Sequence, residues 1–267
     1  MVRPQQVITP LRIARPRYGA GWDCLRVLVS RSLAVRYRRS VLGFAWSLLQ
    51  PLMAMAVLSI VFARVFPQIE RYPVYVIVGV FAWGFFSLTV MQAMDSLHAA
   101  APILRKVSAP PMLFPLAVVL ANLVHLALSL GLLVGLSMAA GLLAPAAAVT
   151  AIPSLVPLVL LATSAALLLS AANVFFHDVR YFVEGALLIG FYATPVVYPA
   201  SVIPPQWHAF LILNPMHWAI EPLRQSLWAG TGPDATTLLA ATTLAAAAAL
   251  AAAIVFERLS RRFHLYL

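Results

Sequence analysis

Three arginines within four residues, Arg36, Arg38 and Arg39, lead through Ser40 and Gly43 into an apolar run opened by Trp46. Guanidinium groups so placed suit oxyanions, because each offers a planar fork of donors. A nucleic-acid phosphate, an anionic lipid surface and an acidic partner all present such oxygens. Other polar groups with chemical potential are sparse. Asn122 and His125 stand one turn apart inside an apolar run, a spacing that suits a helix–helix hydrogen bond better than a proton relay. Arg180 and Glu184 are spaced i, i+4, so an ion pair within one helix would satisfy both. His208 and His217 lie nine residues apart across a proline, a poor pair for a metal.

Catalysis finds little support. The eight acidic residues are Asp23, Glu70, Asp95, Asp178, Glu184, Glu221, Asp234 and Glu257, and most fall at the edges of apolar runs. There is no HExxH, GxSxG or clustered Cys/His spacing, and the single cysteine, Cys24, builds no intrachain disulfide. A P-loop needs a glycine-rich turn ending in Gly-Lys-Ser/Thr. The only lysine, Lys106, sits instead in "ILRKVSAPP". Work against a gradient would therefore draw on a separate subunit or an ion gradient.

The elements that hold these residues are set by composition. The chain is 63% hydrophobic and 10% charged, against about 25% charged in soluble domains. A mean hydropathy of +0.92 over 267 residues makes lipid the solvent. A hydrocarbon core of about 30 Å needs roughly 20 apolar helical residues. Six stretches qualify: 45–66, 73–94, 112–140, 147–172, 181–197 and 235–256. No apolar leader of sufficient length lies in the first 40 residues, so insertion is expected to start with the first span. Nine of the 18 basic residues precede residue 40, which turns the net charge of +10 away from nucleic acid. Placing both termini in the cytosol puts 15 basic residues inside and leaves Arg64, Arg71 and Arg224 outside, as the positive-inside rule prefers.

Residues 198–230 fit no clean span, because Pro199, Pro204, Pro205, Pro215 and Pro222 interrupt them. The expected form is a re-entrant pair of short helices, 206–213 and 216–229. Broken backbone survives at membrane depth only when buried in protein or lining a wet cavity. Ahead of the first span, Trp22, Leu25, Val29 and Leu33 share one helical face. They predict an amphipathic helix at the cytosolic interface, within an N-terminal region covering residues 1–40. "GLLVG", from Gly131 to Gly135, is a small-residue association motif. The fold class expected is an all-α integral membrane domain over 41–267: six spans, an interfacial helix before them, and a re-entrant pair before the last.

Three stretches in this order resemble the type-2 ABC transporter permeases that export polysaccharides. They are "RYRRSVLGFAWSLLQPL" (36–52), "ANVFFHDVRYFVE" (172–184) and "FYATPVVYPASVIPPQWHAFLILNPMHWAIEPLRQSLWAG" (191–230). The resemblance spans roughly residues 20–265. It implies a homodimer in the cytoplasmic (inner) membrane, bound to two ABC ATPase subunits that carry ATP and Mg. Its cargo would be a lipid-linked polysaccharide such as O-antigen, teichoic acid or capsule. By the same resemblance, the loop 98–111 is the ATPase-coupling segment, with His98, Leu104, Arg105, Lys106 and Val107. Ser32, where many relatives place an acid, and His177, where an arginine is common, depart from the pattern.

Under this reading, Arg36, Arg38 and Arg39 stand at the headgroup level of a lipid pyrophosphate carrier, or simply retain positive charge inside. Trp46, Phe85, Tyr181, Phe182, Phe191 and Tyr192 are the path candidates, since aromatic faces stack on sugar rings; ordinary packing is the competing role. Arg180 and Glu184 form a gating ion pair. Two other readings share the composition: an ABC-2 exporter of small hydrophobic molecules, and a membrane-embedded transferase acting on lipid-linked sugars.

Overall fold

The computed structural model describes residues 18–37, 69–106 and 109–266, together with scattered positions from 49 to 67. The described residues form helices and connecting turns, with no strand among them. The first expected span, 45–66, falls mostly outside the described residues.

Helix α1 runs Tyr18–Tyr37 and packs on α3. Of the face expected for it, Leu25 is buried, Val29 and Leu33 are half-buried and Trp22 is exposed. Helix α2, Tyr72–Leu104, carries Pro73 in its first turn, where a missing N–H costs nothing. Its 33 residues make a rod of about 50 Å, well beyond the hydrocarbon core. The loop expected from residue 98 is therefore helical as far as Leu104. Ala99, Ala100 and Ala101 favour helix, and Leu97 and Ala100 are buried in a cluster with Phe114, Val174 and Phe256.

Helix α3, Leu113–Ala139, ends in a Schellman motif. Gly141 takes φ 69°, and the amides of Gly141 and Leu142 donate to the carbonyls of Met138 and Ser137. The expected span 147–172 is two helices, α4 (Pro145–Ser154) and α5 (Val156–Phe175), meeting at Leu155. Pro153 and Pro157 each remove a backbone donor around that joint.

Helix α6 is shorter than expected, Val179–Ala193, only 15 residues. Pro195 forces Thr194 into extended backbone, φ −98° and ψ 137°, and so stops it four residues early. Two short helices follow, α7 (His208–Leu213) and α8 (Pro215–Arg224), the latter running into a π turn at Gln225–Ala229. Asn214 caps α8, its side-chain oxygen accepting from the amides of Met216 at 3.0 Å and His217 at 3.4 Å.

Helix α9, Ala235–Ser260, is capped by Asp234. That carboxylate accepts from the Thr237 amide at 2.9 Å, the Thr237 hydroxyl at 3.0 Å and the Thr236 hydroxyl. These donors, the Thr236 hydroxyl first, hold the carboxyl below its usual range. A depressed carboxyl pKa adds stability above the unfolded value of about 3.9, lost as pH falls through the folded value. Asp234→Ala is thus expected to melt below wild type at neutral pH, the gap closing on acidification. Thermal melts across pH check this, and a pH-independent gap would refute it.

Among the described residues, four stretches of helix are long and apolar enough to cross a membrane: α2, α3, the α4–α5 pair and α9. Lipid supplies no hydrophobic drive between helices, so small residues that permit close approach set the packing. Helices α5 and α9 pack together and are rich in buried alanine, Ala171 of α5 sharing a cluster with Ala252 of α9, while Ala166 faces Ala93 and Val119 of α2 and α3. Between α5 and α9 the Ser164 hydroxyl donates to the Ala248 carbonyl at 3.1 Å. Among the described residues, nothing lies within 4 Å of a Cβ built on Gly131 or Gly135.

Asn122 does make the expected interhelical bonds. Its amide donates from α3 to Thr89 Oγ1 and Gln92 Oε1 of α2, both at 3.2 Å. Such bonds average below 1 kcal/mol in lipid and reach about 2. Asn122→Ala is expected to lower stability by about 1 kcal/mol in detergent melts; an unchanged melt would remove the α2–α3 tie.

Candidate functional site

Two buried clusters divide the bundle into two ends. One gathers Leu97, Ala100, Phe114, Val174, Phe256 and Phe263, which brings the C-terminal ends of α2, α5 and α9 to the start of α3. Arg105, Lys106, Arg180, Arg258, Arg261 and Arg262 follow or flank these helix ends, and this is the basic end. The other gathers Tyr72, Tyr75, Phe81, Val196, Ile220 and Leu223. Helix α2 reaches both.

At the basic end the α5–α6 connection is tied to α2. Asn173 Nδ2 donates to the Met94 carbonyl at 2.9 Å, and the His98 and His177 rings lie 4.7 Å apart. Arg180 pairs with Asp95 of α2, which corrects the expected Arg180–Glu184 pair. Helix α6 buries Val183 alone; Arg180 leans toward α2, while Glu184 is exposed. Arg105 and Lys106 form an exposed turn directly after α2, so Lys106 stands at the tip of the rod. Val107 lies outside the described residues, as do Arg38, Arg39 and Trp46. Arg36 belongs to the last turn of α1.

The aromatic candidates separate. Tyr181 and Phe182 are 73% and 78% exposed on α6, and Tyr192 is exposed on the same helix. Phe191 is half-buried, edge-on to Trp83 at 6.0 Å and to Tyr192 at 5.2 Å. Phe85 is the exception. It is buried in the core, so packing has taken the face that a path would need.

The opposite end holds the groups that sequence reasoning missed. Arg224 of α8, counted above as an outer loop charge, is 3% exposed. Its Nη2 donates to the Val196 carbonyl at 2.6 Å, and its guanidinium carbon lies 4.0 Å from the centre of the Tyr75 ring. Helix α2 accommodates this close approach at Gly79. A Cβ there would stand 2.6 Å from the Val196 carbonyl oxygen and 2.7 Å from Arg224 Nη2. Two tyrosines extend the attachment, Tyr72 donating to the Val197 carbonyl at 2.6 Å and Tyr75 to the Tyr198 carbonyl at 3.0 Å. Trp228 Nε1 donates to the Glu70 carbonyl at 2.7 Å. Arg71, in the left-handed region at φ 51°, donates to the carbonyls of Leu142 at 2.7 Å and Trp228 at 2.9 Å. The available signal was Arg224 itself, a cation in a proline-broken apolar segment three residues after Glu221.

The geometry is that of a rod joining a basic, partner-ready end to a clamped pair of short helices. No cluster of three or more metal-ligating side chains occurs among the described residues. Comparison with known families matches residues 24–228 to the ABC-2 type transporter model. The chain belongs to the ABC-2 type transporter family. The match reaches from the first turns of α1 to the π turn after α8, so the Asp95–Arg180 bridge and the Gly79–Arg224 clamp both lie within the ABC-2 region. The ABC-2 chain is 35% identical over 239 residues to the O-antigen export system permease protein RfbA of Myxococcus xanthus, covering 88% of this chain and 91% of that one. Two permeases of the same name from Klebsiella pneumoniae are 29% and 28% identical over 219 and 218 residues. Each covers 80% of this chain, and 85% and 84% of their own lengths.

Proposed function

We propose that this ABC-2 chain is the transmembrane permease subunit of an ATP-driven exporter that moves a lipid-linked polysaccharide of the O-antigen type across the cytoplasmic membrane. The observation that carries this reading is the 35% identity to an O-antigen export permease over 91% of that protein's length. The chain is a transport component rather than an enzyme. ATP and Mg belong to a partner ABC ATPase, two copies of which serve a permease homodimer. Six spans, a re-entrant course for α7 and α8, and termini in the cytosol complete the arrangement.

In this scheme nucleotide-driven closure of the ATPases acts on the Arg105–Lys106 turn, with His98 and Leu104 on the same helical rod. Helix α2 carries the displacement to the end where Tyr75, Gly79 and Arg224 hold the short helices. The bridge of Asp95 to Arg180 makes α6 follow α2. Tyr181, Phe182, Phe191 and Tyr192, with Trp46 of the partner subunit's first span, line the path, and their rings stack on sugars without demanding a unique hydrogen-bond pattern. Arg36, Arg38 and Arg39 meet the pyrophosphate of the carrier, where each basic residue attracts anionic charge by about 1 kcal/mol.

Deleting the gene in its own host tests the function. Surface glycan is expected to disappear while lipid-linked glycan accumulates inside, with restoration requiring both this chain and an ABC ATPase able to hydrolyse ATP. Intact surface glycan with altered efflux of small hydrophobic compounds would overturn the polysaccharide reading.

A further inference from the structure

Between α1, the basic end of α2 and the first turns of α3 lies an open cleft of about 500 Å³, inside the range of roughly 300–1,000 Å³ that holds small ligands. Much of its lining is hydrocarbon, from Leu28 of α1, Ile103 of α2, and Phe114, Ala117 and Val118 of α3. Of its polar side chains, all but one already have a partner. The Ser32 hydroxyl donates to the Leu28 carbonyl at 2.9 Å and the Ser96 hydroxyl to the Ala93 carbonyl at 2.7 Å. Gln92 accepts from Asn122, and Asp95 is paired with Arg180. The exception is Arg31, which lines the cleft, is exposed, and has no hydrogen-bond or ion-pair partner among the described residues.

We propose that this cleft binds a membrane phospholipid with an anionic headgroup, its phosphate on Arg31 and one acyl chain along the apolar wall. Three features select that class. An apolar wall requires a hydrocarbon tail, which a soluble anion lacks. One unspent guanidinium requires an anion. A zwitterionic headgroup would want an acid for its ammonium, and the charge of Asp95, the acid in the cleft lining, is already balanced by Arg180. Basic pockets between membrane helices on the cytoplasmic side take anionic headgroups for the same reason. Helix α1 is seated mainly on α3, so the lipid fills the gap toward α2 and completes the seat of the helix. The proposal rests on α1 lying at the cytosolic membrane surface and is independent of which cargo the permease moves.

The test uses the full-length protein purified in detergent, with bound lipid counted by native mass spectrometry after titration with phosphatidylglycerol or phosphatidylcholine. Wild type is expected to retain one phosphatidylglycerol per chain, in preference to phosphatidylcholine. Arg31→Gln should weaken that retention about fivefold, the effect of one basic residue at a lipid surface. Ala99→Phe, which places a ring in the cleft from an exposed wall position, should abolish it, while Arg258→Gln should leave it unchanged. Glycerol 1-phosphate, a headgroup without a chain, should not compete. Equal retention of the two lipids would overturn the proposal. So would wild-type retention in Arg31→Gln, or displacement by glycerol 1-phosphate, which would mark a phosphate site alone. Should Ala99→Phe fail to fold, Arg31→Gln with an unaltered melt carries the test. Loss of export in the gene deletion with no lipid preference would leave the transport function standing and this inference refuted.

Discussion

Gly79→Ala is expected to destabilise the folded permease by about 2 kcal/mol, within the range for overpacking a close contact. In an ordinary helix the same change helps, because alanine exceeds glycine in helix propensity by up to about 1 kcal/mol. Here the added methyl would meet the Val196 carbonyl oxygen at 2.6 Å. That oxygen belongs to backbone held by the Tyr72–Val197 and Tyr75–Tyr198 bonds, so it yields only by shifting the segment between α6 and α7. Gly84, five residues along the same helix, has nothing within 4 Å of its would-be Cβ, and Gly84→Ala should be neutral or slightly stabilising. Melting temperatures of the two variants in detergent decide the matter. If Gly79→Ala melts with wild type, the clamp is looser than its distances state.

Arg224→Ala should have a comparable or larger effect, about 3 kcal/mol, through three losses at once. The Val196 carbonyl loses its charged donor, a bond class contributing about 1.5–3 kcal/mol. The Tyr75 ring loses a cation lying 4.0 Å from its centre, and a buried void is left among α2, α8 and the Val196 segment. Arg224→Lys should fall between, since an ammonium lacks the planar fork that reaches the carbonyl while lying flat on a ring. Protease accessibility of residues 195–215 gives a second readout, expected to rise in Arg224→Ala and to stay at wild type in Arg258→Gln. The two substitutions share partners, so the double variant should lose less than the sum: with Arg224 gone, the methyl at position 79 has one neighbour fewer to displace. Strict additivity would mean the two residues act independently, contrary to the contact between them.

Hydropathy and proline placement account for much of the architecture. The long apolar helices, the short pair around Asn214 and the helix ahead of the first span follow from residue type and period alone. Asn122 was legible too, because a buried amide in lipid has few options besides a neighbouring helix. Where expectation and structure differ, the physical origin is shared: side chains find partners distant in sequence. Arg180 is expected to pair with Glu184 one turn away, but α6 buries a single residue and exposes Glu184, and the ion pair forms with Asp95 of α2. Arg224 was counted as a loop charge because a proline-broken segment reads as surface. Only the fold brings Val196 and Tyr75 around it. Phe85 was placed on the path by depth, yet depth along a helix does not fix the face. The break at Leu155 was missed because Pro153 and Pro157 lie in a run apolar enough to pass as one span.

Two of the three arginines assigned to the outer side, Arg71 and Arg224, donate to main-chain carbonyls, and Arg224 is buried against the Tyr75 ring. During insertion these residues count as positive charge in the tally that orients the chain; after folding they serve as backbone cross-links. In the proposed orientation, the mouth of the exporter is therefore poorer in available cation than its sequence suggests. An anionic glycan leaving there would meet one guanidinium that is buried and another that is tied to two carbonyls, with Arg64 the exposed one of the three, whereas the basic end keeps Arg31, Lys106 and the arginines after α9 at its surface. With the proposed orientation, anion retention would be uneven along the chain, stronger at the end where cargo is gathered than at the end where it is released.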